Sequence, residues 1–455
     1  MQTNFSPEQL QDPRVSEVNQ ILRRCVHCGL CTATCSSYVV LGDERDSPRG
    51  RIYLMKDMFE KDRGVTPEVR VHIDRCLSCL SCMTTCPSGV DYMHLVDHAR
   101  VYIHEHSSRS LQERLVRTLL AASAPYPGRF RFMLALAPFG RLFLSVMKRL
   151  GLKQLAAMVE LAPQKLQHGS KYRNFSLIRS KVSRQARVLM LAGCAQQVLR
   201  PEINEATVSL LTRRGVDVKV ASGSGCCGAL VHHMGLEKQA IDFAKRNVDA
   251  WWKAMQREPI DAIIINASGC GTTVKNYAHM LRHFDDYGER AQAIVDKTMD
   301  ITEFLTKHNL GPPMRWSSIK VAYHSACSMQ HGQRITDAPK TLLKNAGFTV
   351  VDVPEGHICC GSAGTYNIMQ PDIAGSLRER KAANIRSVKP NVVATGNIGC
   401  ITHLAGVMEF PIVHTVEMLD WAYGGSVPRG LEAFKSDVYN VPLPHGRTVE
   451  DYIDL

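Results

Sequence analysis

Eight of the sixteen cysteines fall in two runs of identical spacing: Cys25, Cys28, Cys31 and Cys35, then Cys76, Cys79, Cys82 and Cys86. Two residues, two residues and three residues separate successive thiols in each run. Thiolate is the soft ligand that iron–sulfur clusters need. A tight turn with two-residue spacers presents three thiolates around one cubane while backbone N–H groups point at its sulfides. The fourth cysteine leaves the turn and reaches the other cluster. The expectation is therefore two [4Fe-4S] clusters, one held by Cys25, Cys28, Cys31 and Cys86, the other by Cys76, Cys79, Cys82 and Cys35. Zinc sites show cysteine pairs, not repeated quartets of this kind. Pro87 follows Cys86 as the pattern expects; Ser36 stands at the matching place after Cys35, which costs rigidity and no ligand. His27, between two of these cysteines, is expected to neighbour the cluster without binding it.

The other eight cysteines repeat in a different way. Cys194 is followed 32 positions later by Cys226-Cys227-Gly228, and Cys327, also 32 positions later, by Cys359-Cys360-Gly361. Cys270 closes the first half and Cys400 the second. Adjacent cysteines rarely bond to each other, but both can reach a metal, and the glycine lets backbone approach closely. Three readings stay open at this point: a further iron–sulfur centre, a structural zinc, or thiols that only pack. Each half could bind its own metal, or the halves could pool ligands. His403, three residues after Cys400, stands where a second cysteine would complete a pair; it is either a ligand or a hydrogen-bonded core histidine. Gly223-Ser224-Gly225-Cys226-Cys227-Gly228 fits a dinucleotide-binding pattern, but the cysteine pair fills its variable positions and the second half lacks the glycines.

These residues need elements to hold them. Apolar runs at 187–192, 216–220 and 261–265 read as short buried strands, with helical spacing at 203–214 and 237–256. The second half repeats this with strands near 319–324, 348–353, 391–395 and 411–414 and helices near 337–346 and 372–387. Alternating strands and helices argue for parallel α/β layers, with the cysteines just past the carboxyl ends of the strands, where such folds place ligands. A helix is expected to start near Gly50, with Arg49 and Arg51 offsetting cluster charge. The fold class is α+β and multidomain: a helical two-cluster ferredoxin-like domain over 1–106, a basic helical linker over 107–186, α/β Cys-Cys-Gly repeats over 187–316 and 317–423, and an irregular tail over 424–455.

Composition bounds the rest. At 45% hydrophobic and 22% charged residues, the 455-residue chain can bury several cores. No run of 18 apolar residues points to a membrane span, and the N-terminus lacks a signal-peptide pattern. Sixteen thiols without an export signal suit a reducing compartment, so the cytoplasm is expected. The formal net charge is +12, and Arg109 to Arg187 alone hold sixteen basic residues against Glu113 and Glu160. Apolar clusters at 130–136 and 142–147 interleave with this charge. The stretch reads either as a linker packed on its own domains or as a surface for an acidic partner or the inner face of the cell membrane. No nucleic-acid signature accompanies the charge.

Taken together, the chain resembles the family of glycolate oxidase iron–sulfur subunits, related to heterodisulfide reductase subunits and the anaerobic glycerol-3-phosphate dehydrogenase iron–sulfur subunit. The resemblance rests on Cys25-Val26-His27-Cys28-Gly29, on Pro48-Arg49-Gly50-Arg51-Ile52-Tyr53-Leu54, on Thr85-Cys86-Pro87-Ser88-Gly89-Val90, on Asp249-Ala250-Trp251-Trp252, and on His357-Ile358-Cys359-Cys360-Gly361-Ser362-Ala363-Gly364. It implies an electron-carrying subunit, inactive alone, beside flavin-containing subunits that oxidise glycolate to glyoxylate, with electrons leaving towards a quinone or another acceptor. Another flavin-linked dehydrogenase, acting on glycerol 3-phosphate or lactate, and a thiol/disulfide reductase are the alternatives. Thr273 and His403 stand where the heterodisulfide reductase pattern has its last cysteines.

Overall fold

Prolines and capping side chains start many of the helices. Asp12, Thr66 and Ser110 each accept a backbone N–H of the first turn, opening Pro13–Arg24, Pro67–Asp74 and Leu111–Ser123. A computed structural model describes residues 1–61, 64–172, 176–315, 317 and 319–434. The tail expected beyond 424 therefore lies, from 435 on, outside the described residues. The chain divides into two compact units. One comprises Met1–Gln164, Gly228–Phe243 and His357–Lys381; the other comprises Lys165–Cys227, Ala244–Gly356 and the chain from Ala382 on.

The described secondary structure of the first unit is helical. Its N-terminal core gathers Val18 and Leu22 from Pro13–Arg24, Ile52 and Met55 from Pro48–Lys61, Ile73, and Leu95, Val96, Ala99 and Ile103 from Tyr92–His106, with Cys25, Cys76 and Cys82 in the same cluster. Burying each such Val, Leu, Ile or Met side chain stabilises the fold by roughly 1.5–3 kcal/mol. The basic zone forms the short helices Leu111–Ser123, Pro127–Ala135, Ala137–Leu142, Leu144–Arg149 and Lys153–Leu161.

The second unit is built on two sheets. The strands are β1 (Ser176–Ile178), β2 (Ala186–Met190), β3 (Val216–Val220), β4 (Ala262–Ile265) and β5 (Thr298–Asp300), then β6 (Lys320–Tyr323), β7 (Thr349–Asp352), β8 (Val392–Thr395) and β9 (Ile412–His414). The orders are β1-β3-β2-β4-β5 and β7-β6-β8-β9. Without β1, the first order becomes β3-β2-β4-β5, position for position the second. The expected duplication is thus a duplication of topology. All pairings are parallel except β1 with β3. The central strands are buried on both faces: every residue of β4 and of β8 is buried, which explains why they are apolar apart from Thr395 at the end of β8. Two strands escaped the sequence reading. β1 and β5 have three residues each and carry Ser, Thr or Asp, so neither shows an apolar run.

Candidate metal centres

In the first quartet, the two-residue spacers force the chain through left-handed backbone. His27 has φ 57°, Gly29 83°, and in the second quartet Ser78 has 49° and Leu80 62°. A non-glycine residue there costs about 1 kcal/mol, so the turns are built at some expense. Cys25, Cys28, Cys31 and Cys86 line one pocket, together with Cys82 of the second quartet, Arg49 and Pro87. Burial and the neighbouring charge of Cys25 push the Cys31 thiol up to about 11. Cys82 is raised by burial and then by Cys79, Cys76 and Cys35. Thiols that oppose each other's ionisation are suited to a shared cationic centre, which would hold them as thiolates. Buried Nε2 of His27, Oγ1 of Thr32 and Oγ of Ser81 find no hydrogen-bond partner among the described residues. The thiol donor set and these orphaned groups fit iron–sulfur cubanes.

A charged network backs the second quartet. Asp46 is fully buried and meets Arg51 at 3.3 Å, His72 at 2.9 Å and Arg75 at 3.0 Å. Arg51 in turn donates to the Cys35 sulfur at 3.8 Å, to Ser37 Oγ at 3.0 Å and to the His72 carbonyl at 2.7 Å. The Tyr92 hydroxyl lies 3.7 Å from the Cys76 sulfur. Arg51 therefore stands beside a ligand candidate, as expected of a charge-offsetting arginine. Arg49 is half-buried and bonds Glu44. The helix begins at Pro48, and a Cβ on Gly50 would sit 2.0 Å from the Glu44 carbonyl. The Cys359 amide donates to Ser36 Oγ at 2.9 Å. After burial, the charge of Cys359 is the largest influence raising Cys79. One cysteine of the second repeat thus adjoins the second quartet, a proximity that spacing alone did not signal.

Each repeat places its cysteines past the carboxyl ends of its strands. In the first, Cys194 follows β2, Cys226 and Cys227 follow β3, and Cys270 lies in the helix Ser268–Lys275 after β4. These four converge: Cys194 is raised first by its hydrogen bond with Cys226, and Cys227 hydrogen-bonds both Cys226 and Cys270. Asn247 ties the loop down, accepting from Gly225 N–H at 2.8 Å and donating to the Cys226 carbonyl at 2.9 Å, while Tyr277 donates to the Cys227 carbonyl at 2.8 Å. The glycine-rich loop thus spends its polar groups on Asn247 and Tyr277. Thr273 bonds the Gly269 carbonyl within its helix. In the second repeat, Cys327 and Cys400 belong to the second unit, Cys359 and Cys360 to the first. His403 is buried on the helix Ile398–Ala405, whose first turn carries Cys400. His324 was missed in sequence. It follows β6, is 2% exposed, has neither ring nitrogen hydrogen-bonded among the described residues, and has a ring nitrogen within 4.8 Å of the Cys400 sulfur. A spacing signal was present: His324 precedes Cys327 by three residues, the same offset at which His403 follows Cys400.

These features define an iron–sulfur protein with duplicated cysteine-rich α/β repeats. Residues 24–90 match the 4Fe-4S dicluster domain family, and 188–275 and 321–405 match the cysteine-rich domain family. The chain is 40% identical to the glycolate oxidase iron-sulfur subunit of Escherichia coli (strain K12), over 93% of this chain and 99% of that protein. It is 29% identical to the probable glycolate oxidase iron-sulfur subunit of Bacillus subtilis (strain 168), over 84% and 88% respectively. Lactate utilization protein A of Bacillus licheniformis is 25% identical over 51% of this chain and 99% of its own. The chain belongs to the glycolate oxidase iron–sulfur subunit family.

Proposed function

We propose that this chain is the electron-carrying subunit of a glycolate-oxidising complex, working beside flavin-containing subunits and discharging towards a quinone or a similar acceptor. Cys25, Cys28, Cys31 and Cys86 hold one [4Fe-4S] cluster; Cys76, Cys79, Cys82 and Cys35 hold the other. When bound, such clusters accept and release single electrons, which a flavin can supply one at a time. The observation that carries the reading is the pair of thiol quartets set on turns through left-handed backbone, in a chain 40% identical to a protein named for this role. The protein's own part is to hold thiolates, aim backbone N–H groups and place Arg51 beside Cys35.

The converging thiols of the first repeat, Cys194, Cys226, Cys227 and Cys270, suit a further metal centre, iron–sulfur or zinc. In the second repeat, Cys327 and Cys400, with His324 near Cys400, are ligand candidates of the second unit, and Cys359 and Cys360 are ligand candidates of the first. We place the chain in the cytoplasm, attached peripherally to an anionic membrane. No helix among the described residues is long and apolar enough to cross one. Phe139 is 67% exposed and Leu142 77%, on short helices that also carry Arg141, Lys148 and Arg149. Apolar anchors among cations suit a lipid surface.

The test is spectroscopic. Anaerobic chain mixed with glycolate should keep its visible colour, and should bleach once the flavin subunits are added. Bleaching by glycolate without them would contradict the subunit reading.

A further inference from the structure

A polar cavity of about 210 Å³ lies in the first unit, against the start of the second quartet. Its wall includes Cys76, Arg70 on Pro67–Asp74, Arg100 on Tyr92–His106, Arg117 on Leu111–Ser123, His233 and Tyr366. Three of these guanidinium groups bond only neutral oxygens. Arg70 donates to the Ser108 carbonyl, Arg100 to Ser78 Oγ and, at 2.6 Å, to the Cys76 carbonyl, and Arg117 to the Met234 carbonyl. None of the three is paired with a carboxylate among the described residues. The two acids on the wall, Asp74 and Glu113, are both bonded to Arg109 instead. A guanidinium offers five donors, so each has capacity left.

The charge imbalance is felt locally. Burial, and then the charge of Arg109, bring Arg117 down to about 10. Burial likewise brings His233 down to about 4, so its ring is neutral near pH 7, and its buried Nδ1 has no partner among the described residues. Excess positive charge, unspent planar donors and room for several waters are what an anion site requires.

We propose that this cavity binds a small free oxyanion, a short carboxylate or phosphate, clasped by Arg70, Arg100 and Arg117. The site lies outside the cysteine machinery but touches it, because Arg100 bonds the Cys76 carbonyl. An anion seated here opposes the addition of an electron at Cys76, Cys79, Cys82 and Cys35. Occupancy therefore lowers the midpoint potential of a cluster held there, and reduction weakens anion binding by the same factor. This second effect rests on the cluster assignment above; anion binding itself does not.

Calorimetric titration of the full anaerobic chain with inorganic phosphate at low chloride tests the site without any turnover. We expect one saturable site per chain, weakened about tenfold or more in Arg117→Gln and in Arg70→Gln, and partly kept in Arg117→Lys. Arg70 is half-buried on the wall, so Arg70→Gln decides if Arg117→Gln fails to fold. Unsaturable heats in the wild type, or wild-type affinity in Arg70→Gln, would overturn the site and mean that these arginines only offset cluster charge. An EPR-monitored redox titration reads the second effect. A midpoint that phosphate lowers in the wild type but not in Arg70→Gln supports the coupling, and one that phosphate leaves unmoved despite calorimetric binding overturns it. Absence of an EPR-active cluster, with phosphate binding intact, would strike at the cluster assignment alone.

Discussion

Arg51 is 1% exposed, yet it carries a full charge between Asp46, Cys35 and Ser37. Arg51→Met should leave Asp46 with one cation fewer in a buried site and destabilise the first unit by about 3 kcal/mol, read by denaturant titration. It should also lower the midpoint potential of the adjacent cluster, because a positive charge beside Cys35 is gone. A second buried acid gives a pH dependence. Burial pushes Asp300 up to about 6 from the ordinary carboxylate range, although Thr302 N–H and Oγ both donate to it. The folded state thus binds this proton more tightly than the unfolded one. Its contribution is complete below about pH 4 and is lost as pH rises to about 6. Asp300→Asn should flatten that part of the stability profile by on the order of 2 kcal/mol, a difference that melting curves between pH 4 and 7 resolve. At these positions the sequence was unevenly informative. Fixed spacing made the two quartets readable, because three ligands share one turn. Asp46, His72 and Arg51 are brought together by packing of separate helices, and only Arg51 was foreseen. His324 went unseen although it stands three residues before Cys327; only its nearness to Cys400, distant in sequence, was hidden.

The glycines after the paired cysteines show what an element demands of its ends. Gly228 has φ 89° and Gly361 φ 96°, and a Cβ on Gly361 would lie 2.6 Å from the Ala374 carbonyl. The close approach expected of these glycines is thus made to a following helix. Gly361→Ala combines a left-handed strain with a backbone clash, and should cost more than about 2 kcal/mol, read as a fall in midpoint denaturant. Gly50→Ala, on the Pro48–Lys61 helix, should do comparable damage by pushing the Glu44–Asp46 turn, and with it Asp46, away from Arg51. Seven strands were legible from their Val- and Ile-rich runs, most plainly β4, which is apolar and buried throughout. β1 and β5 were not, since strands of three residues gain their stability from pairing with β3 and β4.

Over the whole chain, the duplication read from a 32-residue spacing reappears as two sheets of matching order. The basic stretch was legible as basic, and its helices run from Leu111 to Leu161, with β1 further along it. Its exposed apolar side chains, Phe132, Phe139, Leu142, Phe143, Val146 and Leu150, became visible only in three dimensions. Sedimentation with anionic vesicles at moderate salt should pellet the protein, and neutral vesicles should not. Leu142→Asp with Phe139→Asp should abolish pelleting, whereas wild-type sedimentation of that variant would remove the membrane assignment. Above all, the functional reading depends on the thiol quartets near the N-terminus. The most direct measurement is iron and acid-labile sulfide per chain in an anaerobic preparation, with low-temperature EPR. At least about eight irons are expected, about four of them lost in Cys31→Ser and about four in Cys82→Ser. A colourless, iron-free protein, or iron unchanged in both variants, would contradict it.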